Sequence, residues 1–517
     1  MKKLISLLCV ISMLAVSFTG CKQAEKDQEE TYVQPRTYIA MQQFDGKLGI
    51  LYNDTCILTD YKYVSSRSAC YSLDGTAAVY LTEENALLYI HDGTVEKIVD
   101  SPYSYRFSAS GDTIAFRIKE NNEAQSGLES GLYLYQKATG QIQQVVAQTE
   151  ADVRSYTLSP DGKTLAYVTT ESIWDSNDAK LTLYRDGIRT VHLQFEKDPA
   201  YLSVLVYDLI SINDSADMIY MRYQDRLVLV DGEGAMKRVG VLEALGYNTY
   251  YTNADHSQLL YRTDQGTFLT ARGQDGVRLC EDWTNPMEPC YVQFHHDTYH
   301  SGAYNEGTIL ITCDFADFGQ QLLYSIGGIG GYNVRCWYPN ENGEYIQVAE
   351  FSTINSKNYG LDSTGSYLHY LDSDGKICVL DLKNGGQITQ LVERAVSFAV
   401  SPDGGTLYYY YDGLSRCSGT EASEPEKMPV EGSMWSIYFS ENNQVYFLCQ
   451  QETYRDLYTI TKDGDAAVVL QNLMWFMQFE NGMILLSTGE GNDYSKPDKY
   501  YIIRAGQLME LNMKTME

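Results

Sequence analysis

Few residues in this sequence have the type and spacing that metal binding or catalysis requires. Histidines cluster at His295, His296 and His300, in the segment FHHDTYH, and closely spaced histidines are typical of zinc sites. Such a site also needs a third converging ligand. In an extended chain, neighbouring residues point to opposite faces, so His295 and His296 would diverge. The pattern therefore predicts no zinc site.

Oxygen ligands suited to calcium occur at Asp175, Asn177 and Asp178. A calcium-binding loop of this kind needs a glycine to make its sharp turn, and no glycine follows at the required position. We therefore predict no bound metal ion here. The same residues surround Trp174, whose side chain either folds back on its own blade or contributes to a recognition loop.

Signatures of catalysis and of cofactor binding are missing from the sequence. It contains no G-x-S-x-G nucleophile elbow, no phosphate-binding loop and no dinucleotide fingerprint. The glycine-rich run at 327–331 has no helix-forming pattern after it, so a turn or bulge is expected there. Carboxylates are too numerous in so acidic a chain to single out a pair. We predict no catalytic residue, no cofactor and no enzymatic activity.

The N-terminus carries the pattern of an export signal. Lys2 and Lys3 precede an apolar run from Leu4 to Val16, which is shorter than the roughly 20 residues needed to span a bilayer. The next residues, Ser17-Phe18-Thr19-Gly20-Cys21, resemble the bacterial lipobox, although Phe18 replaces the usual leucine. The resemblance implies a lipoprotein signal peptide at 1–20 and lipidation of Cys21. The alternative is an ordinary signal peptide.

Residues 21–36 are polar and charged, and they have almost nothing to bury, so a disordered tether is expected. The sequence thus predicts an extracytoplasmic protein held to the cell membrane by its N-terminal lipid, on the cell surface or on the periplasmic side. Whether the bacterium has one membrane or two stays open.

The net charge of the chain restricts its possible binding partners, and the number of cysteines restricts its possible disulfide bonds. The formal charge of −29 argues against nucleic-acid binding, which needs a basic surface. After Cys9 and Cys21 an odd number of cysteines remains, so they cannot all pair within the chain. Local bridges between Cys280 and Cys290 or between Cys313 and Cys336 are open alternatives to buried free thiols. The oligomeric state also stays open.

A short turn motif recurs along the chain. The segments at 156–167 (YTLSPDGKTLAY), 398–409 (FAVSPDGGTLYY) and 105–116 (YRFSASGDTIAF) align without gaps, and partial copies begin near residues 72, 213, 253, 305, 362, 440 and 480. Serine, asparagine or aspartate opens the turn with its side chain, and glycine supplies a left-handed residue at the fourth position. His256 occupies that position in its copy, where histidine is tolerated.

The S-P-D-G-x-x-L-x-Y pattern resembles the TolB-like, WD-like β-propeller repeat. The resemblance implies an all-β protein of about 10–11 four-stranded units. Closed propellers usually have fewer blades, so we expect either two propellers in tandem, at 37–282 and 283–517, or one oversized array. The segment EDWTNPMEPC at 281–290 is the predicted junction.

In such blades the repeated turn joins the first strand to the second, and the loop from the second to the third strand lies on the opposite face. Long loops of the latter kind are predicted at 119–130, 170–178, 314–319, 450–456 and 489–498. Because binding residues concentrate in loops on a rigid scaffold, we expect the ligand on this face. The candidate contact residues are Trp174, Asp175, Asn177, Asp178, Phe315, Tyr454 and Tyr494.

Together these features favour a non-catalytic binding or scaffold module for a protein, peptide or glycan. The alternative is a propeller-type enzyme, a lyase or hydrolase that acts on glycans from the central pocket. The sequence does not identify the ligand.

Overall fold

The structure is a computed structural model, and the regular secondary structure of its described residues is nearly all β-strand. It describes residues 39–64, 69–72, 74–171, 179–195, 207–223, 226–241, 250–252, 256, 258–263, 266–271, 276–280, 291–294, 309–316, 331–339, 345–353, 359–362, 366–372, 374–382, 384–430, 433–440, 442–450, 455–461, 464–478, 483–489, 499–504 and 506–516. The predicted signal peptide, Cys21 and the predicted tether at 21–36 lie outside these residues.

The strands form successive four-stranded sheets, and within a sheet consecutive strands pair antiparallel. The first sheet takes only three strands from the start of the chain, and its fourth strand comes from the end of the chain and pairs in parallel. The first five sheets contain β1 (Ile39–Phe44), β2 (Lys47–Tyr52) and β3 (Thr55–Lys62); β4 (Ala69–Tyr71), β5 (Ala77–Leu81), β6 (Ala86–His91) and β7 (Thr94–Asp100); β8 (Ser104–Phe107), β9 (Thr113–Ile118), β10 (Gly131–Gln136) and β11 (Gln141–Ala147); β12 (Asp152–Leu158), β13 (Thr164–Thr170), β14 (Lys180–Arg185) and β15 (Ile188–Gln194); β16 (Tyr207–Ile212), β17 (Met218–Tyr223), β18 (Arg226–Asp231) and β19 (Met236–Val241).

The next four sheets follow the same order. They contain β20 (Tyr250–Thr252), β21 (Gln258–Thr263), β22 (Gly266–Ala271) and β23 (Val277–Cys280); β24 (Tyr291–Phe294), β25 (Ile309–Ala316), β26 (Gly331–Pro339) and β27 (Tyr345–Thr353); β28 (Tyr359–Leu361), β29 (Tyr367–Leu371), β30 (Ile377–Asp381) and β31 (Gln387–Val392); β32 (Ser397–Val400), β33 (Thr406–Tyr410), β34 (Leu414–Ser418) and β35 (Glu426–Lys427).

The last strands share one seven-stranded sheet: β36 (Ser433–Phe439), β37 (Val445–Gln450), β38 (Arg455–Ile460), β39 (Ala466–Gln478), β40 (Ile484–Thr488), β41 (Lys499–Arg504) and β42 (Gln507–Glu510). Strand β39 belongs to two units, because its first part pairs with β38 and its second part with β40. Asn472, at a φ of 58°, lies just before the residue that pairs on both sides. Counted this way, the described strands make eleven four-stranded units, here sheets 1–11, which confirms the predicted all-β repeat architecture.

The repeated turn has the predicted geometry. In sheet 4 the Ser159 hydroxyl donates to Asp161 (2.6 Å) and accepts the amide N–H of Thr164 (3.0 Å), so the polar side chains satisfy the backbone of the bend. Gly162 follows at a φ of 70°, in the left-handed region. His256 has a φ of 59° in its own copy, as the sequence predicted.

Turns of neighbouring sheets contact one another. The amide of Asp161 in sheet 4 donates to the carboxylate of Asp214 in sheet 5 at 2.8 Å. The ring of His256 in sheet 6 lies 2.9 Å from the carbonyl of Ile212 in sheet 5. The first strands of sheets 4 and 5, β12 and β16, also lie beside one another. We call these contacts the turn belt.

Tyrosine fills much of the space between sheets. Tyr80, Tyr89 and Tyr220 are among the largest fully buried side chains. The hydroxyl of Tyr89 in sheet 2 donates to the carbonyl of Gly111 in the turn of sheet 3, at 2.6 Å. Tyr89 thus supplies both apolar contact area and a hydrogen bond to the next sheet.

The end of the chain packs against its first sheet. A last strand, β43 (Asn512–Thr515), pairs parallel with β3, and Leu511 joins a core cluster that combines sheets 1 and 11. Residues 37–517 form one compact unit. The predicted junction at 281–290 lies outside the described residues, so the division into two propellers at 282/283 stays a prediction.

Strand register excludes one of the two open alternatives for a disulfide bridge. Cys336 pairs with Leu310 across β25 and β26, whereas Cys313 pairs with Asn333. The two cysteines are therefore three residues apart along the ladder, roughly 10 Å at about 3.3 Å per residue, which is too far for a bridge. Cys290 is outside the described residues. Cys56, Cys378, Cys417 and Cys449 are buried free thiols.

Candidate functional site

The two ends of each sheet differ in the connections between strands that lie there. The repeated turns and the turns from third to fourth strands lie at one end of each sheet. The loops from second to third strands, and the connections from one sheet to the next, lie at the other end, here the long-loop face. In sheet 3 the long loop holds a 3₁₀ turn (Glu120–Asn122) and a short α-helix (Glu123–Ser126).

This loop of sheet 3 is fixed by hydrogen bonds. The Glu123 carboxylate accepts the amide N–H of Ser130 at 2.6 Å, and the Asn122 side chain donates to the carbonyl of Ser101 at 2.7 Å. The predicted loop at 119–130 is therefore confirmed as an ordered part of the long-loop face.

Most of the predicted contact residues are not in the described part of the chain. Those outside it are Trp174, Asp175, Asn177, Asp178, Tyr454 and Tyr494, together with the histidines at 295, 296 and 300. Phe315 is described, and its position corrects the sequence interpretation. It lies in β25, where it pairs with Tyr332, so the strand continues through Ala316 and the loop begins later than predicted.

A cavity of about 610 Å³ opens on the long-loop face between sheets 3 and 4. Its walls come from the segment before β8, the end of β9 and the following loop, and the connection into β12. The lining side chains that matter most are Tyr103, Arg117, Lys119, Gln148, Asp152 and Arg154. We call this cavity the sheet 3–4 pocket.

Asp152 is the anchor of this pocket. Its carboxylate accepts hydrogen bonds from Arg117 Nη2 (2.7 Å) and from Gln148 Nε2 (3.0 Å), and it lies 3.4 Å from Arg154 Nε. Arg154 Nε also donates to the hydroxyl of Thr170 at 2.9 Å. Two guanidinium groups thus share one buried carboxylate and are held in fixed positions.

Tyr103 forms the aromatic part of the pocket. The Lys119 ammonium lies 3.3 Å from the centre of its ring, and the Arg117 guanidinium carbon lies 5.7 Å away. Cations attract the face of an aromatic ring. A hydrogen bond and the charge of Lys119 lower the pKa of the Tyr103 hydroxyl. The ring itself is 54 % exposed, so it is accessible from solvent.

Charged side chains of both signs line the pocket. Among the described lining residues, three cations, Arg117, Lys119 and Arg154, lie near two carboxylates, Glu120 and Asp152. Such an arrangement can orient and hold a ligand. The Asp152 carboxylate accepts hydrogen bonds from Arg117 and Gln148 and forms an ion pair with Arg154, which makes it an anchor for the two arginines.

Sequence reasoning missed this cluster, although one signal pointed to it. Arg117 interrupts the otherwise apolar strand Thr113–Ile118, in which every residue is buried. A charged side chain in such a position needs a partner of opposite charge. The partner, Asp152, begins the next unit, and nothing in the spacing identifies it.

The described residues contain neither a metal-ligand cluster nor a membrane-spanning helix. They contain no group of three or more histidine, cysteine or acidic side chains arranged to hold a metal ion. No helix in the described part of the chain has the length and apolar character required to cross a membrane.

No protein-family model matches the sequence, and no curated protein matches it. Solved structures to which this chain is similar include the extracellular domain of the "putative hybrid two component system BT4673" of B. thetaiotaomicron, at 12% identity and a TM-score of 0.31, over 93% of this chain and 72% of that chain. A GH74 enzyme of Niastella koreensis matches at 11% identity and a TM-score of 0.32, over 92% of this chain and 83% of that chain. The β-propeller domain of Cps50 (Swd1) from Myceliophteria thermophila matches at 12% identity and a TM-score of 0.24, over 60% of this chain and 93% of that chain.

Proposed function

We propose that this protein is an extracytoplasmic binding module, tied to a membrane through a lipid on Cys21, that captures a protein, peptide or glycan at its long-loop face without altering it chemically. The observation that carries the proposal is the sheet 3–4 pocket. It is concave and solvent-accessible, it lies on the face selected by loop length, and its polar groups are fixed by buried contacts.

Capture can be tested on glycan and peptide arrays with the full chain. Tyr103→Ser removes the exposed ring of the pocket, and we expect it to abolish the strongest signals. Tyr411→Ser is the matched control. Tyr411 is also an exposed tyrosine on the long-loop face with a cation beside it, since Arg394 Nη1 lies 3.3 Å from its hydroxyl, but it does not line the pocket.

The array result separates binding from catalysis. Ligands recovered unchanged by mass spectrometry after long incubation support a binding module. Cleaved ligands would favour the enzymatic alternative, and equal signals for both tyrosine variants would contradict the placement of the site.

The anchor has its own test. Metabolic labelling with a fatty-acid probe should mark the wild-type chain and leave the Cys21→Ala variant unlabelled. Labelling that persists in Cys21→Ala would refute lipidation at this residue and would leave the binding proposal untouched.

A further inference from the structure

We infer that the edge strands of sheets 4, 5 and 6 form a docking surface for a bilayer of anionic phospholipids. This surface consists of β15, β19 and β23, the fourth strands of the three sheets, and we call it the basic edge. It is distinct from the proposed ligand pocket, and it rests on the proposed function only for the lipid anchor.

The residue content of the basic edge points to an anionic partner. The three strands contain Arg189, Lys237, Arg238 and Arg278, and none of their residues is an aspartate or a glutamate. Acidic residues outnumber lysine and arginine by 68 to 39 in the whole chain. The fourth strands β7, β27 and β42, by contrast, each contain glutamate. A patch of one sign attracts partners of the opposite sign.

The three strands are contiguous, because neighbouring sheets touch along them. His192 Nε2 in β15 lies 2.7 Å from the carbonyl of Asp231, at the start of the turn into β19. The hydroxyl of Tyr261 in sheet 6 donates to the carbonyl of Val239 in β19 at 2.9 Å. Gly276, directly before β23, packs on the same carbonyl, since a Cβ there would lie 3.3 Å from it. One partner can therefore contact all three strands.

Exposed apolar side chains accompany these charges. Ile188 and Val191 in β15 are 66% and 56% exposed, and Met236 in β19 is 44% exposed. Lys237 and Arg238 follow Met236 directly and are also exposed. At a bilayer surface, basic groups attract lipid phosphates while apolar groups enter the boundary between head groups and acyl chains. The combination favours a bilayer over a purely ionic partner such as an acidic protein.

Ion pairs on the basic edge are compatible with lipid binding. Arg189 Nη1 lies 2.9 Å from the carboxylate of Glu150, and the two side chains are 45% and 52% exposed. Exposed ion pairs contribute little free energy, so this guanidinium can exchange a carboxylate for a lipid phosphate. Docking therefore requires no cation of the basic edge to be unpaired.

The anchor makes a weak attraction sufficient. Residues 22–38 connect Cys21 to β1, and 17 residues reach at most about 60 Å. A chain lipidated on Cys21 thus stays beside the bilayer, where tethering gives the basic edge a high effective concentration. Contact through a sheet edge leaves the ends of the sheets, and with them the long-loop face, open to solvent.

Hydrogen exchange of the full lipidated chain tests the inference on two kinds of nanodisc, one of phosphatidylcholine and one that also contains phosphatidylglycerol. The lipid anchor is the same in both. We expect slower exchange in β15 and β19 on the anionic nanodiscs, and loss of this protection at roughly 1 M salt, where charges are screened beyond about 3 Å. The uncharged edge strand β31, where Ile388 is 51% exposed, should exchange alike on both.

The double variant K237Q/R238Q removes two exposed cations of the basic edge. Each cation near an anionic surface strengthens binding about fivefold, so we expect the protection of β15 and β19 to fall about 25-fold or to disappear. K47Q/K62Q is the matched control, because it makes the same change of charge in sheet 1, where the two lysines are 52% and 68% exposed. It should leave the protection unchanged.

Three results would overturn the docking surface: equal exchange of β15 and β19 on neutral and anionic nanodiscs, equal slowing in β31, or equal effects of the two double variants. Failure of the anchor is distinguishable, because the chain would then stay off neutral nanodiscs. In that case the docking surface is decided by whether the chain still binds anionic nanodiscs with β15 and β19 protected. The array signals of Tyr103→Ser test the ligand pocket independently of the lipid.

Discussion

The turn belt predicts a large difference between two glycine substitutions in the same sheet. Gly162 and Gly187 both have left-handed backbones, with φ of +70° and +80°. A Cβ at Gly162 would lie 2.6 Å from Thr113 Oγ1 and 2.9 Å from Thr113 Cβ in the neighbouring sheet, whereas a Cβ at Gly187 meets nothing within 4 Å. Gly162→Ala therefore combines backbone strain with a clash between sheets, and Gly187→Ala has only the strain.

The magnitudes follow from these contacts. A left-handed alanine costs about 1–2 kcal/mol, which is the whole expected effect of Gly187→Ala. Forcing a methyl group into a packed contact adds about 1–3 kcal/mol, because Thr113 is held in a strand and cannot move far. We expect Gly162→Ala to lower the free energy of unfolding by about 3 kcal/mol, roughly twice the effect of Gly187→Ala.

Urea unfolding followed by tyrosine fluorescence measures both variants. Hydrogen exchange adds a local readout, since Gly162→Ala should raise exchange in β9 as well as in sheet 4. Adding Thr113→Ala to Gly162→Ala removes the 2.6 Å contact and should recover part of the loss. Equal destabilisation by Gly162→Ala and Gly187→Ala would refute the idea that the turn belt couples neighbouring sheets.

Three further predictions follow. Asp152→Asn leaves the guanidinium of Arg117 without its buried carboxylate and should cost about 3 kcal/mol in urea unfolding. Burial lowers the pKa of His369 below its ordinary 6.5, so its neutral form is favoured in the fold. Its contribution to stability is complete above pH 6.5 and is lost as the pH falls toward the lower folded-state pKa, and His369→Gln should remove this part of the pH dependence of unfolding. Deleting residues 511–517 should speed hydrogen exchange in β3, because β43 covers its edge.

Each of these predictions has a control. Asp60→Asn breaks an ion pair whose carboxylate is 96% exposed, and it should leave the unfolding midpoint unchanged. An unchanged pH profile in His369→Gln would assign the effect to another group. Deletion of residue 517 alone should preserve exchange in β3, and unaltered exchange after the longer deletion would show that β43 does not protect that edge.

Much of the fold was predictable because the repeated turn is a local structure. Ser159, Asp161 and Gly162 lie within four consecutive residues, and their hydrogen bonds close within the same hairpin. Such a bend is encoded by residue type alone, so a single sequence suffices to find it. The left-handed conformation of His256 was predictable for the same reason.

The length of the segment 119–130 was enough to predict a long loop there, but the pocket beside this loop was not predictable from loop length. Arg117 and Asp152 belong to different sheets and meet only when sheet 3 packs on sheet 4. The end of β25 was also misplaced, because the sequence DFADFG looks polar enough for a loop while its first residues still pair with β26.

The sequence by itself determined the repeat, its tight turns and the four-stranded unit, since each depends on residues a few positions apart. Only the tertiary structure decided which residues from different units become neighbours: the Arg117–Asp152 pair, the pocket around it, and the parallel pairing of β43 with β3. The physical reason is that contacts between sheets join residues that are far apart in the sequence. No local sequence pattern specifies which of these residues will meet.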